Sequence, residues 1–213
     1  MIDVTINGQT RAVEPGTTIL DAARAMGQWV PTLCFDERQD PFGACRVCLV
    51  GVEGMLAPVP ACTTPVRPGM VVDTEHPTAR RVAGAVVELV LSELPEPPAP
   101  HTELAAVARG LGVEGTRWPG PAHPLDDDAR HPYLALRHEL CISCGRCVRA
   151  CDEVQGTFAL TATGRGFDAN ITAGLDQGFR ESACVSCGAC ADTCPTGAIT
   201  EISLLSLAEV TYA

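Results

Sequence analysis

Twelve cysteines in a chain of 213 residues fall into three groups, and the spacing in each suits four thiolates closing on one inorganic centre. Cys141, Cys144, Cys147 and Cys151 form a C-x2-C-x2-C-x3-C run, and Cys184, Cys187, Cys190 and Cys194 repeat it 43 residues later. A C-x2-C-x2-C stretch wraps three thiolates around one face of a cubane, so the fourth must come from elsewhere. In two-cluster ferredoxins the last cysteine of each run ligates the other cluster. That rule predicts Cys141, Cys144, Cys147 and Cys194 around a first [4Fe–4S] centre and Cys184, Cys187, Cys190 and Cys151 around a second. Zinc and disulfides are the competing uses of such residues. Zinc sites favour paired C-x2-C knuckles, and dividing these eight cysteines among tetrahedral sites leaves thiols over. Disulfides would have to persist in a reducing compartment.

Gly145 and Gly188 follow the second cysteine of each run, where a missing Cβ lets backbone N–H groups approach cluster sulfurs. Pro195 follows Cys194 as the motif expects, whereas Asp152 stands where the first run would carry its proline. Different charge beside the two centres should separate their potentials. The remaining cysteines, Cys34, Cys45, Cys48 and Cys62, are spaced C-x10-C-x2-C-x13-C, a longer loop than the plant-type C-x4-C-x2-C. Gly43, Arg46, Val47 and Leu49 around them read as a loop running straight into a strand. A zinc site in a β-rich module is the alternative, but the order of elements before the loop favours [2Fe–2S].

Those elements begin with Ile2, Val4 and Ile6 alternating up to Asn7-Gly8, then Arg11 and Val13, a β-hairpin with a type I′ turn. A helix capped by Thr17 or Thr18 follows, with Ile19, Ala22, Ala23 and Met26 as its buried stripe and Gly27 as its end. Strands near Val47–Val52 and Met70–Asp73 complete a β-grasp outline. Beyond it, residues 80–94 place Val82, Val86, Leu89, Val90 and Leu94 on one helical face before Pro95, and a shorter helix runs from Thr102 to before Gly110. Proline-rich residues 95–100 and a Pro/Gly/Asp-rich run from Trp118 to Asp128 mark the connection. Phe158–Thr163 and Phe167–Thr172 flank Gly164-Arg165-Gly166 as a second hairpin. The expected class is α+β: a [2Fe–2S] β-grasp ferredoxin domain over residues 1–76, a helical and Pro-rich connection over 77–135, and a two-[4Fe–4S] ferredoxin domain over 136–213.

Composition narrows the partners. Apolar residues make up 46% but aromatics only 4%, so cofactors stand in for part of the core. A formal charge of −11 argues against nucleic acid, whose phosphates need clustered Lys and Arg. No stretch approaches the roughly 20 apolar residues of a membrane span, and the start MIDVTINGQTR lacks the basic and apolar regions of a signal peptide, which predicts a cytoplasmic protein.

The stretch CFDERQDPFGACRVCLVGVEG, with Cys62 beyond it, resembles the N-terminal [2Fe–2S] domain of the cluster-carrying subunit of respiratory complex I. The same domain occurs in bidirectional NAD-linked hydrogenases and in the α subunit of cytoplasmic NAD-dependent formate dehydrogenases. Further on, HPYLALRHELCISCGRCVRACDEVQGTFALTATGRGFDANIT and ESACVSCGACADTCPTGAI look most like the formate dehydrogenase α subunit. Two departures stand out. That subunit continues into a large molybdopterin-binding domain, whereas this sequence ends at Ala213, so the expectation is that it does not oxidise formate alone. The family also carries a [4Fe–4S] site of one histidine and three cysteines between its modules. No cysteine lies between His101 and Cys141 here, so that cluster is expected to be absent.

The resemblance implies an electron-transfer subunit, not itself catalytic, that wires a molybdopterin-bearing formate-oxidising chain to a flavin-bearing NAD-reducing one, with FMN, NAD and molybdopterin on the partners. The alternatives are the matching subunit of a bidirectional NAD-linked hydrogenase, favoured by a separately encoded catalytic domain, and a free-standing polyferredoxin. No nucleotide loop is expected, since Gly164-Arg165-Gly166 lacks a strand-GxGxxG-helix setting. His76, His101, His123, His131 and His138 read as surface or capping histidines, although His138, three residues before Cys141, is placed to tune a cluster through a hydrogen bond. Asp126-Asp127-Asp128 reads as a solvated acidic loop before it reads as a cation site.

Overall fold

The computed structural model describes residues 1–118, 120, 125–174 and 178–203. Two compact units divide the chain: Met1–Phe35, Pro41–Leu89 and Val107–Thr116 make up the first, and Asp36–Asp40, Val90–Ala106 and Arg117–Ala213 the second.

In the first unit, β1 (Ile2–Ile6) and β2 (Gln9–Val13) pair antiparallel around Asn7 and Gly8, at φ 50° and 80°. Two positive φ values make the type I′ turn whose twist suits a hairpin. The Asn7 amide also donates to Thr74 Oγ1 at 2.8 Å and accepts from Thr74 N at 3.0 Å, fixing the turn to the end of the last strand of the sheet. Helix α1 (Ile19–Ala25) is capped by Thr18, whose hydroxyl accepts from Asp21 N at 3.1 Å. The sheet is completed by β3 (Leu49–Val52), β4 (Val59–Pro60) and β5 (Met70–Asp73), in the order β2-β1-β5-β3-β4 with β1 and β5 parallel. Ile19, Leu20, Ala22 and Ala23 of α1 pack into one core with Val4, Ile6, Val50 and Val72 of the sheet, a β-grasp arrangement. Each buried large aliphatic there contributes about 1.5–3 kcal/mol. β4 is an addition to the sequence reading; a proline with no N–H to donate confines it to a two-residue edge.

Two helices depart from expectation. α2 runs over Pro77–Ser92 rather than 80–94, and its buried positions are Ala79, Ala83 and Val87, while Leu89 is 53% exposed. Ala79, Ala83 and Val87 recur at a four-residue spacing and so share the inward face, while Val82 and Val86 are only half-buried beside it. α3 (Glu103–Leu111) starts at Thr102, whose hydroxyl accepts from Ala105 N, and continues through Gly110. Gly110 lies under the Trp29 ring, where an added Cβ would come within 2.5 Å of the indole. The helix ends instead at Gly112, at φ 70°.

The second unit is built around the repeated cysteine runs. β6 (Leu134–Leu136) pairs antiparallel with β9 (Ile199–Glu201), so the strand before the first run meets the one after the second. α4 (Arg146–Arg149), extended by a π-helical turn over Ala150–Val154, and α5 (Ala189–Thr193) carry the later cysteines of the two runs. β7 (Leu160–Thr163) and β8 (Asn170–Ala173) form the second hairpin; β7 starts two residues later than the sequence suggests, and β8 starts three residues later and ends one later. Leu134, Leu136, Leu160, Ile171, Phe179 and Ile199 form a core together with Cys147, Cys151 and Cys190.

Candidate metal centres

The four thiols of the first unit meet beside β3. Cys34, Cys48 and Cys62 are buried and Cys45 is half-buried. Cys45 N donates to Cys34 Sγ at 3.4 Å, and Cys48 Sγ stands 3.4 Å from Cys62 Sγ. Arg46 holds a left-handed φ of 60° between the paired cysteines, a conformation costing about 1–2 kcal/mol outside glycine that bends the loop back on itself. Gly43, at φ 67°, lies so close to Thr63 that a Cβ would come within 2.9 Å of its methyl. The thiols titrate as facing pairs. The Cys45 hydrogen bond draws Cys34 down to about 6 while Cys45 is pushed up, and Cys62 is likewise drawn down by Cys48, which is pushed up in turn.

In the second unit the two runs interleave. One recess, with about 330 Å³ of empty space out to its mouth, is walled by Cys141, Cys144, Cys147 and Cys194 together with Ile142, Leu136, Ile171, Pro195 and Ile199. Another, of about 300 Å³, is walled by Cys151, Cys184, Cys187 and Cys190 with Leu134, Leu160, Val185 and Phe179. Each therefore gathers three thiols of one run and the last thiol of the other. Soft thiols in an apolar wall suit an iron–sulfur cluster. All twelve cysteines are free, and among the described residues no three His, Cys, Asp or Glu stand close enough to hold a single metal ion.

Backbone N–H groups point at the thiols. Ser143 N donates to Cys141 Sγ and Ser186 N to Cys184 Sγ, both at 3.4 Å; Ala159 N reaches Cys151 Sγ at 3.1 Å and Ile199 N reaches Cys194 Sγ at 3.5 Å. Ser143 and Ser186 achieve this at φ 49° and 59°. Gly145 and Gly188 both sit at φ 76° as the residues that open α4 and α5, and a Cβ on Gly145 would meet nothing within 4 Å. Glycine holds this left-handed turn without strain, and a Cβ on Gly188 would come within 3.3 Å of Glu201 Oε1. Burial pushes Cys144 and Cys190 up to about 12 and raises Cys141 and Cys147 as well. A metal that binds these thiols must therefore displace their protons.

Two of the expected surface groups are structural. His131 is 3% exposed; its Nδ1 accepts from Tyr133 N at 3.1 Å and Leu134 N at 3.0 Å, and its Nε2 meets Ser186 Oγ at 3.2 Å. With Nδ1 accepting, the proton lies on Nε2, and burial lowers the pKa, so the ring is a neutral clamp between β6 and the Cys184 loop. Asp128 is likewise buried rather than solvated. Its carboxylate accepts from Phe179 N at 2.8 Å and Arg130 N at 3.2 Å, which leaves it no role as a cation site. His101 is exposed in a turn, His138 accepts from Cys141 N through its carbonyl, and His123 lies outside the described residues. His76 stacks on Gly51, where a Cβ would come within 2.6 Å of the ring.

Sequence reasoning missed Arg146. It is 4% exposed and binds Thr193, Glu103 and Asp36 at once. Aligning the two runs would have exposed it, because Arg146 stands where the second copy has Ala189.

The fold and the three thiol sets define an iron–sulfur protein with two ferredoxin-like domains. Comparison with known proteins agrees: a 2Fe-2S iron-sulfur cluster binding domain matches residues 1–77, and the ferredoxin-like domain of NADH-quinone oxidoreductase subunit 3 matches residues 131–200. A chain in the crystal structure of an NAD+-reducing [NiFe]-hydrogenase superposes with a TM-score of 0.84 at 30% identity, over 95% of this chain and 88% of that one. An NADH-quinone oxidoreductase subunit of Rhizobium meliloti is 35% identical over 93% of this chain, and the NADP-reducing hydrogenase subunit HndD of Solidesulfovibrio fructosivorans is 33% identical over 94%. This chain spans only 24% and 36% of those two relatives. It belongs to the family of iron–sulfur electron-transfer subunits shared by NADH-quinone oxidoreductases and NAD-linked hydrogenases. Among the described residues no helix is long and apolar enough to cross a membrane.

Proposed function

We propose that the chain holds one [2Fe–2S] cluster on Cys34, Cys45, Cys48 and Cys62, and two [4Fe–4S] clusters, on Cys141, Cys144, Cys147 and Cys194 and on Cys184, Cys187, Cys190 and Cys151. When bound, such clusters supply one-electron relay and no bond chemistry. The chain's own residues supply the thiolates, the apolar walls that keep water back, and N–H donors that favour a more negative, reduced centre. The exchange of last cysteines between the two runs carries this reading.

In the assembly, the chain passes electrons between a flavin- and NAD-binding partner and a separate catalytic subunit. A hydrogenase-type catalytic partner is the better-supported choice, because the similar hydrogenase chain is matched over most of its own length. The formate-oxidising, molybdopterin-bearing partner is the second choice, favoured by the GTFALT and GRGFD stretches. A freely diffusing polyferredoxin would not co-purify in fixed proportion with either. Purification of the native complex, followed by hydrogen-dependent and formate-dependent NAD reduction with and without this chain, tests the proposal. Loss of one of these activities on removal assigns the partner. Full activity of both without the chain rules out the relay role.

A further inference from the structure

We infer that Arg146 is a positioning residue for the first four-thiol recess, acting through Thr193 to hold the two chain stretches that furnish its cysteines in one geometry. The inference rests on reading that recess as a [4Fe–4S] site. Three of its thiols come from the stretch ending at Cys147, and the fourth, Cys194, arrives from the other run. Arg146 is the residue before Cys147, and Thr193 is the residue before Cys194. Arg146 Nε donates to Thr193 Oγ1 at 2.9 Å, so one side-chain bond joins the two arms directly behind their ligands.

The tie is built to be rigid. Thr193 is fully buried, and its hydroxyl donates to Asp36 Oδ2 at 2.6 Å while accepting from Arg146. The guanidinium fork also grips Glu103 at 2.6 and 3.0 Å, and Gln39 Nε2 donates to the Arg146 carbonyl at 3.0 Å. A planar, five-donor group can serve these partners at once, whereas an ammonium cannot. Charge is not the main effect, since the carboxylates of Asp36 and Glu103 are matched by the two guanidinium groups of Arg146 and Arg38, the latter 2.9 Å from Asp36. Behind the second recess, Ala189 occupies the position matching Arg146 and has no side chain that could make this bond. The tie therefore distinguishes the first recess from the second.

Thr193→Val removes the hydroxyl with little change in volume, and Thr193→Ser restores it. The holo protein is purified anaerobically, and the cubane whose paramagnetic resonance signal is altered by Cys144→Ser marks the first site. In Thr193→Val, that signal should decay on exposure to a ferrous-iron chelator roughly tenfold faster than in wild type, the equivalent of about 1.4 kcal/mol and within reach of one charge-assisted hydrogen bond. Its midpoint potential should shift, while the other cubane keeps wild-type decay and potential, and Thr193→Ser should behave as wild type. Should Thr193→Val not fold, Arg146→Lys, which keeps the charge but loses the fork, should show the same selective decay. Equal acceleration of both cubanes, no acceleration, or a serine variant as labile as valine would overturn the inference. A wild-type protein lacking two cubane signals would instead overturn the underlying reading.

Discussion

Replacing Asp128 by alanine separates packing around the second recess from packing around the first. The Asp128 carboxylate is the acceptor for Phe179 N at 2.8 Å, and Phe179, 1% exposed, walls the recess formed by Cys151, Cys184, Cys187 and Cys190. Orphaning a buried donor bonded to a charged group costs about 1.5–3 kcal/mol. The pair with Arg130, whose side chain is 62% exposed, adds little because water screens it. The expected loss is then roughly 2–3 kcal/mol, or about 8–12 °C in the melting of the second unit. The cubane held by Cys184, Cys187 and Cys190 should bleach before the other as temperature rises. Burial pushes the Asp128 carboxyl up, but hydrogen bonds from Arg130 and Phe179 outweigh it, so the group titrates below the usual carboxylate range. Its stabilisation is thus complete above the unfolded value of about 3.9 and is lost as pH falls through the lower folded value. Asp128→Asn should flatten that acid limb. Thermal melts followed by paramagnetic resonance provide the assay. A loss below about 0.5 kcal/mol, or simultaneous bleaching of both cubanes, would refute the reasoning.

Cys48→Ser should abolish the [2Fe–2S] signal and leave both cubane signals, because its partner thiol Cys62 and its core belong to the first unit alone; resonance spectra of the variant check this. Gly145→Ala should destabilise the second unit by about 1–2 kcal/mol through its left-handed φ of 76°, measured by denaturant unfolding. Thr18→Ala should cost the first unit about 1 kcal/mol by removing the cap on Asp21 N, with cubane properties unchanged.

Local chemistry was legible in the sequence wherever a rule acts over a few residues. Asn7-Gly8 announced its turn, the Thr17-Thr18 pair a cap that falls on Thr18, and Met70–Asp73 its strand, because each depends on dihedral preference or a one-turn hydrogen bond. Three thiols of each recess follow from the short spacing within one run, and the fourth from the rule that paired runs exchange their last cysteine. What escaped depends on tertiary placement. The inward face of α2 is its alanine stripe, which hydrophobicity counting ranks below the valines. His131 and Asp128 read as surface groups because their partners, Ser186 and Phe179, lie more than fifty residues away in sequence. Arg146 escaped notice because its partners Asp36, Glu103 and Thr193 come from three distant segments. The formate resemblance came from short C-terminal stretches, whereas the comparison over most of the hydrogenase chain weighs the shared architecture.

Metal analysis of the anaerobically purified chain, combined with a resonance-monitored redox titration, is the most direct test of three clusters on three thiol sets. The account predicts about ten irons per chain, matching acid-labile sulfide, and three signals that titrate separately, one of them of [2Fe–2S] type. Zinc in place of iron in the paired runs, or a single cubane signal with about six irons, would contradict it.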